Sequence, residues 1–65
     1  MEATIEKIFG GWEVSASWHY YGSEYAAGGT YWDSQVSETE ALKMFRQSMR
    51  EKHPHAPRIV KFRSL

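Results

Sequence analysis

The sequence contains no cysteine. That excludes a disulfide framework and any zinc or iron–sulfur site held by thiolates. Proline occurs only at Pro54 and Pro57, so there is no proline-rich linker, and no repeat or low-complexity tract appears. Aliphatic side chains are scarce, with three isoleucines, three valines and two leucines in 65 residues. No apolar run approaches the roughly 20 residues of a membrane-spanning helix, and no signal-peptide pattern opens the chain. Net charge is also missing: eight basic side chains balance eight acidic ones. The length fits one small domain and leaves no room for a second.

Aromatic residues fill the gap left by the aliphatics. Eight of the ten lie in the first half: Phe9, Trp12, Trp18, Tyr20, Tyr21, Tyr25, Tyr31 and Trp32. A chain this short buries only about 60% of the surface it exposes when unfolded. Some of these rings are therefore expected at the surface. The zero net charge hides a strong asymmetry. Residues 1–42 hold seven carboxylates against Lys7 alone, whereas residues 43–65 hold seven bases against Glu51 alone. Such a split marks either a binding face or two halves whose charges intermix on folding.

Residues 12–20 alternate Trp12, Val14, Ala16, Trp18 and Tyr20 with Glu13, Ser15, Ser17 and His19. A period of two predicts a strand with one buried face. Residues 4–9 read as a preceding strand, joined through Gly10-Gly11, although Ile5, Ile8 and Phe9 also suit one turn of helix. Three glycines in residues 21–29 predict a glycine-rich loop or a wide, bulged hairpin. Alternation resumes over 30–36 and predicts a further strand, antiparallel to 12–20. Ser37 and Glu40 form a capping-box pattern, and Leu42, Phe45 and Met49 recur at helical spacing. A helix is expected to run to about Lys52 and to stop at His53, because a residue before proline is pushed out of the helical region. Residues 58–63 predict a last strand, with Val60 and Phe62 on one face and Ile59, Lys61 and Arg63 on the other. The expected fold is α+β: a small antiparallel sheet of three strands or four, packed by one amphipathic helix, in the order β-β-(β)-α-β.

Catalytic chemistry finds little support. Ser15, Ser17, His19 and Asp33 supply residue types without a recognised spacing, and the first three share a strand face that reads as solvated. His53 and His55, with His19 and Asp33 or Glu24, would make a metal set only if folding gathered them. Alone the pair reads as a solvated helix exit. Neither glycine pair has the spacing of a phosphate loop. No enzyme, cofactor or metal is expected.

Binding surfaces are better represented. Tyrosine, tryptophan and arginine are the types enriched at binding hot spots. Tyr20, Tyr21, Tyr25, Tyr31 and Trp32 are the candidate protein-binding residues, aided by an open sheet edge. The alternative is nucleic-acid binding by a basic helix stripe, Lys43, Arg46 and Arg50, together with Lys61 and Arg63 on the last strand. In size and composition the chain resembles small accessory proteins of bacteriophages and mobile elements. That resemblance implies binding to a host protein, and it transfers no functional residue. The expectation is a non-enzymatic, cytoplasmic binding or regulatory module that acts through a protein partner or as a homodimer.

Overall fold

A computed structural model describes all 65 residues. The elements are β1 (Glu2–Ile8), β2 (Gly11–Tyr20), β3 (Ser23–Trp32), α1 (Glu38–Lys52) and β4 (Lys61–Ser64). The four strands form one sheet in the order β3-β2-β1-β4. β1 pairs antiparallel with β2, and β2 antiparallel with β3, but β4 lies parallel to β1. The sheet is therefore mixed, where an antiparallel one was expected. β3 and β4 run the same way on opposite edges, so the chain between them must cross the sheet. α1 is that crossover, and it covers one face only.

Two turns explain the first three strands. Phe9-Gly10 makes the first turn, with Gly10 at φ 85°. Gly11 lies in β2 instead, where a Cβ would collide with the Tyr31 carbonyl oxygen. Its role is close approach between strands rather than turning. The second turn is Tyr21-Gly22, with φ of 48° and 79°. Two successive positive φ values match the right-handed twist of a hairpin. The strands then pair continuously from Tyr20↔Ser23 to Gly11↔Trp32. The expected loop over 21–29 is thus mostly strand. Ala26, Ala27, Gly28 and Gly29 have low strand propensity, but the strongly patterned β2 imposes its register on them. The expected strand over 30–36 ends at Trp32, because the amides of Gln35 and Val36 both donate to the Trp32 carbonyl.

Directly paired residues share a sheet face. The covered face carries Ala3 and Ile5 from β1, Val14, Ala16 and Trp18 from β2, and Phe62 from β4. Ala41, Phe45 and Met49 of α1 and Ile59 close the core over them. The capping box forms as its pattern predicts: the Glu40 amide donates to Ser37 Oγ at 3.2 Å, and the Ser37 amide to Glu40 Oε1 at 3.0 Å. The last strand starts later than expected, at Lys61. Ile59 is buried and Val60 is 74% exposed, while Phe62 packs on the core. The expected face assignment over 58–62 is thus out of step, because residues 58–60 are a connector rather than a strand.

Candidate functional site

Tyr25, Tyr31 and Trp32 sit on β3, Tyr21 on the turn that leads into it, and Tyr20 at the end of β2. β3 is an edge strand with no neighbour on its outer side. Along its ten residues only Ala27, Gly29 and Tyr31 are half-buried, and the rest are exposed. Its sole side chain charged at neutral pH is Glu24. Natural edge strands are commonly blunted by lysine, proline or a bulge. From Tyr25 to Trp32 this one has none of the three.

The alternation of the strand divides the candidates between two faces. Tyr25 and Tyr31 pair with Trp18 and Trp12 and lie on the covered face, whereas Trp32 pairs with Gly11 and lies on the open one. Tyr20 is on the covered face, and Tyr21 is 91% exposed at the turn. The five therefore line an edge rather than form one flat patch. Tyr31 is the most enclosed, and burial pushes its phenol above the usual tyrosine value.

Beyond the end of α1 the chain folds back over the covered face. His55 lies 4.5 Å from the Tyr20 ring, 5.0 Å from Tyr25 and 5.8 Å from Trp18, between ring centres. His53 approaches Trp18 edge-on at 5.2 Å, and Trp18 stacks on Tyr25 at 5.9 Å. The two histidines are therefore half-buried parts of an aromatic cluster, not a solvated helix exit. Trp18 Nε1 and His55 Nε2 are buried there without a hydrogen-bond partner. His19 is paired with Glu24 on the opposite face, so the four-residue metal set does not converge. Ser15 and Ser17 lie on that open face with His19, and the Ser15 hydroxyl hydrogen-bonds to Thr4 Oγ1 at 2.8 Å.

The basic candidates divide as well. Arg46 and Arg50 line a cleft of about 540 Å³ together with Arg58 and Ile59. Arg58 was missed at the sequence level because nothing in its local spacing ties it to the helix. The connector alone brings it there. Lys43 is exposed on α1 one turn earlier, and Lys61 and Arg63 occupy the open face of β4, opposite Glu2 and Thr4. That open face otherwise carries Glu2, Glu6, Glu13 and Glu24. No known protein-family model, curated protein or solved structure matches the chain.

Proposed function

We propose that this protein is a non-enzymatic binding module that takes a strand from another protein onto the outer edge of β3. The observation that carries the reading is that edge itself: ten residues long, exposed, free of bulges and almost free of charge. Adding a strand satisfies the backbone donors and acceptors of an edge, and alternate side chains then set specificity. Tyr25 and Tyr31 would face the incoming strand on one side of the sheet, and Trp32 on the other.

A second copy of the chain is the simplest occupant. Centred on Gly28, an antiparallel self-pairing places Tyr25 against the copy's Tyr31, and Ala27 against the copy's Gly29. Neither this register nor its neighbours sets like charges in opposition, since Glu24 meets Trp32. Sedimentation over a wide concentration range, combined with amide hydrogen exchange, tests this. The expected result is a concentration-dependent dimer in which alternate β3 amides become protected. Lysines introduced by Ala26→Lys and Thr30→Lys should keep the chain monomeric and folded. Association that survives both lysines, or β3 amides that exchange freely at all concentrations, would overturn the reading.

A further inference from the structure

The opposite edge of the molecule carries different chemistry, and it does so independently of β3. Arg46 and Arg50 are four residues apart on α1, so their side chains leave the same helix face. Arg58 reaches the same cleft from the connector, and no acidic side chain lines it. Arg46 is held in place: its Nη1 donates to the Ile59 carbonyl, and its guanidinium lies 4.9 Å from the Phe62 ring centre. Only one of its five N–H donors is used in that bond. Three guanidiniums that share one concavity repel each other, and a bound anion removes that repulsion. The planar guanidinium fork matches phosphate oxygens in a bidentate way.

The charge extends beyond the cleft. Lys43 lies exposed one turn before Arg46 on α1, whereas Lys61 and Arg63 lie on the open sheet face, against Glu2 and Thr4, and stand apart from the cleft. Lys43, Arg46 and Arg50 recur along one side of α1, with Arg58 beside them, so the arrangement is a short track rather than a closed pocket for one small ion. No aromatic side chain lines the cleft, so the contacts it offers are to a charged backbone and not to stacked bases. Glu2, Glu6, Glu13 and Glu24 lie on the open sheet face. They would repel a polyanion there and leave the cleft side as the approach.

We infer that Arg46, Arg50 and Arg58 form a site for the phosphodiester backbone of nucleic acid, bound without regard to base sequence. Each phosphate neutralised releases counterions, so three contacts give a slope of log affinity against log salt of roughly −2 to −3.

Fluorescence anisotropy of labelled single- and double-stranded oligonucleotides of mixed sequence, titrated with the full chain at several salt concentrations, tests the site. The parent should bind at low salt with that slope. Arg50→Gln combined with Arg58→Gln should weaken low-salt binding at least about tenfold and bring the slope to about −1. Circular dichroism checks that this variant folds, and the Arg46 bond to the connector is left intact. The pair Ala26→Lys and Thr30→Lys should leave oligonucleotide binding in place, which separates this site from the β3 edge. Absence of binding at low salt, or a slope that the arginine variant does not change, would overturn the inference. So would displacement by poly-glutamate as effective as by unlabelled oligonucleotide, which would make the cleft an acidic-protein site. Displacement by inorganic phosphate at equal phosphate concentration would make it a free-phosphate site, and would overturn the polymer reading too.

Discussion

Tyr31 shows how one residue links packing to pH. Its ring lies over Gly29, where a Cβ would meet Tyr31 Oη at 3.1 Å and two ring carbons at 3.2 and 3.3 Å. The glycine thus makes room for the ring, and the close approach of the phenol to the strand leaves it partly desolvated. Burial disfavours the phenolate, so the folded state holds the proton more tightly than the unfolded chain, whose tyrosines titrate near 10.0. A raised value contributes stability that is intact below pH about 10 and is lost as pH rises through the folded value. Tyr31→Phe should remove that alkaline loss. Urea midpoints of parent and variant, compared from neutral pH to above 10, should draw together or cross as the parent weakens. A constant difference across that window would show that the phenol is not desolvated.

At the scale of elements, α1 is defined by its ends as much as by its apolar face. The Ser37–Glu40 box satisfies two backbone amides that would otherwise face water. Ser37→Ala should cost about 1 kcal/mol, read from denaturant midpoints. The bonds from the Ser37 amide and hydroxyl, with Lys43 nearby, hold the Glu40 carboxyl below its usual range. A depressed carboxylate contributes stability present above the unfolded pKa and lost as pH falls through the folded one. The cost of Glu40→Gln should therefore shrink as the solution is acidified below about 4.5. The box was legible in sequence because its four residues are contiguous. β3 was not, since its alanines and glycines gain strand geometry only from pairing with β2. The Tyr21-Gly22 turn was hidden for a related reason: a tyrosine at φ 48° is an uncommon choice, and only its Gly22 neighbour hinted at the hairpin.

The molecule as a whole is a slab about 38 × 22 × 16 Å in extent. That thickness accommodates one sheet and one helix, which leaves the second sheet face to solvent. Only ten residues are buried. Global stability for this length is expected at about 3–10 kcal/mol. Phe45, which packs from α1 edge-on against Phe62, is 3% exposed and is the largest apolar side chain the helix contributes to the core. Phe45→Ala should cost about 3–5 kcal/mol, a large share of that total. The expected outcome is lost amide dispersion in NMR spectra and no cooperative thermal transition, or one at much lower temperature. A variant that melts within a few degrees of the parent would show that α1 does not hold the core together.

The sequence by itself determined β2 with its core strip, the helix with its cap, the presence of a last strand after the helix, and the separation of acidic from basic halves. All of these rest on local periodicity or contiguous motifs, which need no knowledge of distant contacts. Tertiary structure decided the rest. It put β4 parallel to β1, because a strand that follows a crossover helix can join either edge in either direction as far as its own residues are concerned. It set β3 at the free edge and so collected Tyr25, Tyr31 and Trp32 along one border, with Tyr21 on the turn and Tyr20 at the end of β2 beside them. It folded His53 and His55 onto Trp18, and it brought Arg58 to Arg46 and Arg50. Each of these juxtapositions joins residues whose spacing along the chain carries no period, so only the packed chain could reveal them.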